Sequence, residues 1–529
     1  MLFDFEDTST PNALDADICI IGSGVAGLTI AREFIGTPYK VVVLEGGGKK
    51  DESRSQKLYR TDVVGLPHDG VHNGRFRVYG GSSTRWGAQF MTLTARDFEQ
   101  RAHVPNSGWP INQQDISSYY ERALDLFGVD KLSFEEDLWD DLKSPHIKFD
   151  RQHFYYRFSK WAPFKRRNLA KNLGPEFSRS KNIDIYVHTN ATEIVPAEAG
   201  EHVNSITVRG YSGKTGIVRA RFYIVCMGAI ETPRLMLSSR SVVPAGVGNK
   251  NDLVGRYFQD HISVRAGQLH PSDRSSFAAT FDPIFNGSTM HSPKLVMNET
   301  VQSDQQCLNV MGHVVFGFTE ESGLYELRRM LRAMQAKKNP LPSPMGAWRI
   351  LRYSHDIARM LLGQTFARRR LSPKLAKAYL EIECEQAPNP DSRVMLSDEV
   401  DEIGMPKTIL DWQLNGQEKH SVEQYMKLFN ADWEDAGLGS VEWTKGLFSD
   451  EETWLDSCRD TYHHAGTTRM SNDPSSGVVD SNLLVHGIDN LYVASCSVFP
   501  TSGSANPTFT MMALCLRLSD HLKTKLPAL

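Results

Sequence analysis

Asp17-Ile18-Cys19-Ile20-Ile21-Gly22-Ser23-Gly24-Val25-Ala26-Gly27-Leu28 decides the fold of this chain. Ile18 to Ile21 read as a buried strand, the glycines as a tight turn, and Val25 onward as the start of a helix. A second apolar strand, Lys40-Val41-Val42-Val43-Leu44, follows, with Glu45 at its end. This is the dinucleotide-binding fingerprint in its expected context. Gly22 permits the turn, Gly24 lets backbone N–H groups approach a pyrophosphate, and Gly27 lets helix and strand pack closely. The helix N-terminus directs partial positive charge at the phosphates. Glu45 is placed to accept hydrogen bonds from a ribose diol. The stretch does not say which dinucleotide.

Strand, glycine and helix recur at Phe222-Tyr223-Ile224-Val225-Cys226-Met227-Gly228, where Thr232-Pro233 reads as a helix start. Strands are expected at Ile183–Val187 and Asn190–Val195, and a helix at Gln114–Leu126. The polar stretch Lys49 to Gln56 reads as a loop. Gly80-Gly81-Ser82-Ser83 reads as a second glycine-rich loop that offers N–H groups and hydroxyls to a ligand, or as an ordinary surface turn. From residue 261 the pattern alternates apolar and polar, as in antiparallel strands. A helix from Phe509 to Lys523 closes the sequence.

Of 529 residues, 40% are hydrophobic and 23% charged, which is ordinary globular composition. A net charge of −4 gives no signature of nucleic-acid binding. The seven cysteines show neither CxxC spacing nor a disulfide framework. His463 and His464 adjoin without an HExxH spacing, so no metal site is expected. No run of 18 apolar residues implies a membrane span, and Met1 to Asp15 lacks a signal-peptide core; the expected location is cytoplasmic. One segment departs from the average. Residues 324–377 hold 13 Lys and Arg against only Glu326 and Asp356, with apolar residues at helical spacing. Such helices suit a solvated face, a peripheral membrane contact or an acidic protein partner.

His463 lies in a polar loop, where either a general base or a structural histidine fits. The order of the signals carries more: the fingerprint, the Gly80 loop, His463-His464-Ala465-Gly466-Thr467, and Gly503-Ser504-Ala505-Asn506-Pro507-Thr508 before the last helix. Together these resemble the glucose–methanol–choline (GMC) flavoprotein oxidoreductases, from about Asp17 to Asp520. The Gly-x-Asn-Pro form, Glu385-Gln386 and Asp411-Trp412 are similar to the pyranose-oxidase-like and glycoside dehydrogenase branch.

The resemblance implies an FAD enzyme that oxidises an alcohol group of a sugar, glycoside or sugar-like polyol, with oxygen or another acceptor taking the electrons. A sterol or other non-sugar alcohol, or a non-catalytic flavin module docking through 324–377, are the alternatives. His463 corresponds to the family's catalytic base and Asn506 to its partner. FAD contacts are implied for Gly22, Ser23, Gly24, Val25, Ala26, Gly27, Glu45, Gly80, Gly81, Ser82, Ser83, Thr192, Ser495, Asn506, Pro507 and Thr508. Ser83-Thr84-Arg85-Trp86 stands where fungal pyranose oxidases carry a histidine covalently bound to FAD. Arg85 cannot form that bond, so non-covalent FAD is expected. The implied architecture is α/β: a Rossmann-like FAD-binding domain (1–100, 181–260, 456–529) with an inserted antiparallel-sheet substrate domain (101–180, 261–455).

Overall fold

The computed structural model describes residues 1–317, 323–335, 339–372 and 376–526. Two sheets organise it. In the first, the strands run in the order Leu2–Asp4, Ile183–Val187, Val41–Leu44, Ala13–Ile21, Thr215–Val225, Val203–Arg209 and Asn190–Pro196, and Leu491–Val493 also pairs with Thr215–Val225. The pairings from Leu2–Asp4 through Thr215–Val225 are parallel, as is that of Leu491–Val493. Ile18 lies between Val41 and Phe222 in register. Ile18 to Ile21 and Val41 to Leu44 are buried without alternation, as a parallel sheet covered on both faces requires. Helices Val25–Glu33 and Pro507–Lys525 pack on each other, and Gln114–Phe127 packs on the latter.

The second sheet has nine strands and is antiparallel, its main order running from Gly439–Trp443 through Ile262–Pro271, Lys377–Cys384, Val310–Gly317, Thr289–Met297 and Phe154–Trp161 to Gln89–Phe90. Here burial alternates. Ala378, Leu380, Ile382 and Cys384 are buried together with Phe154, Tyr156 and Phe158, and helix Gln417–Asp435 packs on the sheet. The other face carries Glu383 with its register partners Met311 and Ser263, and Glu381 with His313 and Arg265. Ser292 and Lys294 share that side with Met290, the partner of Trp161. The fold class is therefore α/β, a parallel FAD-type sheet joined to an antiparallel sheet domain.

The chain crosses between the sheets repeatedly. Within 101–180, helices Gln114–Phe127 and Leu169–Arg179 pack against helices of the first sheet, whereas Phe154–Trp161 is a strand of the second. Two local expectations differ from the structure. Ser53–Lys57 forms a short helix inside the stretch read as a loop. The helix expected to open at Thr232 begins at Gly228 and contains Pro233. Proline has no N–H to give the carbonyl four residues back. That carbonyl, of Ala229, instead accepts a hydrogen bond from the Thr467 hydroxyl at 2.7 Å, so the helix continues through Pro233.

Buried ions join the sheets near the last helix. Arg101 donates two bonds to Glu385, at 2.7 and 2.8 Å, with both side chains at 1% exposure or less. Glu385 also accepts from the backbone N–H groups of Gly503 and Asn309. Breaking a pair of this kind strands a buried charge. Arg101→Met should lower stability by about 3–5 kcal/mol, read as a shift of the chemical-denaturation midpoint. A shift worth less than about 1 kcal/mol, the range of a surface pair, would contradict this account.

Candidate active site

A cavity of about 590 Å³ lies at the C-terminal ends of the parallel strands, where ligands of open α/β sheets bind. Ile21, Leu44, Cys226 and Ser495, at or just beyond four strand ends, all line it. Gln89 and Trp161 of the second sheet line it from the other side.

At one end the glycines form a cradle. Gly22 has φ +107°, and a Cβ there would sit 2.6 Å from the Cys226 carbonyl oxygen. A Cβ on Gly27 would lie 1.9 Å from the Gly22 carbonyl oxygen, so helix and turn pack only with glycine. A Cβ on Gly24 meets nothing within 4 Å, which leaves open space beside the start of the helix. That helix has no side-chain cap and no acid in its first turn. Its free N–H groups and dipole suit an anion. The helix Pro507–Lys525 likewise starts uncapped at Asn506 on the cavity wall. A glycine cradle, anion-ready helix starts and room for an elongated ligand fit a dinucleotide.

Glu45 lines the same cavity and is buried. One carboxylate oxygen accepts from the Ser23 hydroxyl at 2.6 Å and the other from the Gly47 N–H at 2.8 Å. Burial raises its pKa, and these bonds oppose that shift. Gly22, Gly24, Val25, Ala26, Gly81, Ser82, Ser495, Asn506, Pro507 and Thr508 also line the cavity. Ser23, Gly27, Gly80 and Ser83 stand behind it: Ser23 holds Glu45, and the Gly80 N–H bonds the Ser23 carbonyl at 3.1 Å. Thr192 does not reach the lining, which Thr189, Asn190 and Ala191 supply instead. Arg85 lines the cavity with its guanidinium paired to Asp51.

At the other end His463 and Asn506 meet. Asn506 Nδ2 donates to His463 Nε2 at 3.1 Å, so Nε2 is an acceptor and the ring proton sits on Nδ1. Nδ1 is 2.8 Å from Thr461 Oγ1, whose hydroxyl donates to Asp260 Oδ1 at 3.0 Å. It is also 3.0 Å from His261 Nδ1. The Asn506 Oδ1 is buried without a partner among the described residues. Burial, and next the neighbouring His261, pull His463 down to about 4.

Asp260 is a hub. It is fully buried and accepts bonds from the His68 ring at 3.1 Å and from the backbone N–H groups of His261, Thr461 and His463. Burial opposes its charge, but the bond from His68 and the surrounding histidines hold it below the usual carboxylate range. His464 Nε2 lies 3.8 Å from Asp260 Oδ2. Burial draws His464 down to about 3. Ligand-type atoms of His68, Asp260 and His464 fall within 4.8 Å of one another; because both carboxylate oxygens already accept hydrogen bonds, the trio reads as a hydrogen-bond hub.

Sequence reasoning missed Asp260, His261, Lys294 and Glu383. The Asp-His dipeptide before the strand Ile262–Pro271 was the available signal for the first two. Lys294 is 4% exposed and has no ion pair or hydrogen bond among the described residues. Burial lowers its pKa. Glu383 faces it on the same side of the sheet. Burial works against ionisation of Glu383, but Lys294 and then His313 pull it down to about 2.

Fold and cavity together define a dinucleotide-binding protein, and the comparisons specify the class as FAD-dependent oxidoreductases. Residues 17–246 match the family described as FAD dependent oxidoreductase, and residues 388–515 match GMC oxidoreductase. The N-terminal part of the chain is thus similar to FAD-dependent oxidoreductases and its C-terminal part to GMC oxidoreductases. Among its relatives, 2-methyl-1,2-propanediol dehydrogenase of Mycolicibacterium austroafricanum is 22% identical over 98% of this chain and 96% of that one. The fructose dehydrogenase large subunit of Gluconobacter japonicus is 21% identical over 96% and 98%. The crystal structure of pyridoxine 4-oxidase from Mesorbium loti superposes with a TM-score of 0.57 at 17% identity, covering 96% of this chain and 99% of that one.

The two lowered histidines make stability depend on pH. Both stay neutral in the fold at values where an unfolded histidine, with a pKa of about 6.5, binds a proton. Their contribution is whole above about pH 6.5 and is lost as pH falls towards 4. Denaturant titrations should show stability falling over that window, by up to about 1.4 kcal/mol per pH unit for each histidine. His464→Gln should make the slope shallower; an unchanged slope would contradict the assignment.

Proposed function

We propose that this enzyme oxidises an alcohol group of a sugar, glycoside or sugar-like polyol to a carbonyl, with His463 as base and Asn506 as its partner. The observation that carries this is the 3.1 Å contact between Asn506 Nδ2 and His463 Nε2 on the cavity wall. The parallel sheet with its helices serves as the cofactor lobe, and the antiparallel sheet supplies the substrate lobe. Bound FAD supplies the two-electron acceptor for the hydrogen on the carbinol carbon. Gly22, Gly24, the start of helix Val25–Glu33 and Glu45 would hold its ADP half. The loop at Gly81-Ser82 and residues Ser495 and Asn506 to Thr508 would hold the other half. Arg85 offers no histidyl bond, so the cofactor is held without a covalent link there.

His463 Nε2 takes the hydroxyl proton. Its Nδ1–H is held by Thr461, and the imidazolium that forms lies near the Asp260 carboxylate, which offsets the new charge. The Asn506 amide N–H turns to the substrate oxygen as negative charge grows there, a fixed dipole with no proton to lose. Gln89, Thr461 and Tyr462 line the cavity and offer donors and acceptors suited to a polyhydroxylated ligand. A sterol body would give these groups no hydrogen-bond partner. The name of the fructose dehydrogenase relative agrees with this choice.

His463→Ala should slow anaerobic flavin bleaching by about 100- to 10,000-fold while FAD stays bound. The wild-type bleaching rate should hold level from neutral pH and fall only towards pH 4; an acid limb near 6.5, or normal bleaching in the variant, would remove His463 from the role. A screen of sugars, polyols and sterols read the same way, followed by air, reports substrate class and oxygen reactivity together.

Acid precipitation should leave all the FAD in the supernatant. Yellow colour in the pellet would overturn the non-covalent assignment.

A further inference from the structure

Between the paired strands Val310–Gly317 and Lys377–Cys384 the chain leaves the sheet and forms three helices, Gly323–Gln335, Pro344–Arg352 and Ser354–Phe366. This excursion lies outside both stretches that match the family, 17–246 and 388–515. The helices pack on one another. The end of the arm is tied to the body: the Phe285 N–H bonds the Arg368 carbonyl, the Arg370 N–H bonds the Pro283 carbonyl, and the Arg369 guanidinium bonds the Asp282 carbonyl.

The outer surface of this arm is apolar and cationic together. Met345, Trp348 and Leu351 recur every three residues along Pro344–Arg352 and are 57%, 50% and 73% exposed. Leu362 and Phe366, one helical turn apart on Ser354–Phe366, are 51% and 80% exposed. Arg352, Arg368 and Arg370 are exposed on the same arm, and the Arg352 guanidinium lies 4.9 Å from the centre of the Trp348 ring. The only two acids of 324–377 are engaged: Glu326 is buried and paired with Arg329, and Asp356 is paired with His355. The basic residues Lys337, Lys338 and Lys374 lie outside the described residues.

Among the described residues no helix is long and apolar enough to cross a membrane. Short helices with exposed Trp, Leu and Phe beside arginines suit the interface plane, where apolar side chains enter the acyl boundary and guanidinium groups meet phosphates. An acidic protein surface would satisfy the arginines but leave five large apolar side chains in water. The 13 basic residues of 324–377, in a chain whose net charge is −4, also confine the attraction to this arm. We propose that helices Pro344–Arg352 and Ser354–Phe366 form a docking arm that rests the enzyme on an anionic lipid surface, with Trp348, Leu351, Leu362 and Phe366 inserted.

The test is co-sedimentation of the FAD-loaded enzyme with vesicles of phosphatidylcholine alone or with about 30% phosphatidylglycerol, at low and high salt. The anionic vesicles should bind at least about tenfold more enzyme, and salt should weaken the binding. Trp348→Glu/Leu351→Glu and Leu362→Glu/Phe366→Glu should each abolish it while the flavin spectrum and turnover of a water-soluble substrate stay unchanged. No sedimentation with anionic vesicles, equal sedimentation with both vesicle types, or retained binding by both double variants would overturn the proposal.

Discussion

The carboxylate of Asp260 is the constraint on which the reactive end of the cavity depends. A buried charge persists only when it is fully hydrogen-bonded. Here the donors are the His68 ring and the N–H groups of the residues that lead into and through the His463 loop. Satisfying Asp260 therefore fixes the backbone on which His463 stands. Its bond from Thr461 then orients the hydroxyl that meets His463 Nδ1. One desolvated anion thus helps to set both the position and the tautomer of the imidazole.

The His463 loop is held from its far side by the first sheet's own requirements. Pro233 frees the Ala229 carbonyl, and the Thr467 hydroxyl fills the gap. Gly466 runs so close to Tyr257 that a Cβ would fall 2.0 Å from its carbonyl oxygen. The Asn506 side of the pair is fixed by other buried polar groups. Gly503 bonds Glu385, and the Ser504 hydroxyl bonds Asn309, whose amide bonds Asp97. The two residues that meet at 3.1 Å are therefore placed by independent networks, one centred on Asp260 and one on Glu385.

What the sequence disclosed follows from the range of the forces involved. The Gly22 turn, the strand Val41–Leu44 and the last helix were legible because their determinants are local: apolar runs and glycines that no Cβ could replace; that helix starts two residues before the expected Phe509, at Pro507. Gly228 as a helix start was not legible, because the carbonyl that Pro233 leaves unpaired is satisfied by a threonine more than 200 residues away. Asp260 and Lys294 were hidden for the same reason. An acid in a loop or a lysine in an alternating strand looks like a solvent-facing position, and only distant parts of the chain bury it. At Thr192 the strand was legible, while the residues that line the cavity are its neighbours Thr189 to Ala191, in the register with Val203–Arg209 and the bulge after Ala191.

The antiparallel sheet shows how one period of two serves two needs. Its strands put Leu380, Ile382 and Cys384 into a core sealed by the helix Gln417–Asp435, and the alternate residues Glu381 and Glu383 onto the opposite face. That face needs no apolar cover of its own, because the cofactor lobe closes over it. Burial of charge there is costly, and it is offset by attraction: Lys294 foremost holds Glu383 below the usual carboxylate range, while burial draws His463 down. Burial works against charge on both groups; Glu383 keeps its charge because Lys294 faces it, whereas His463 has His261 beside it.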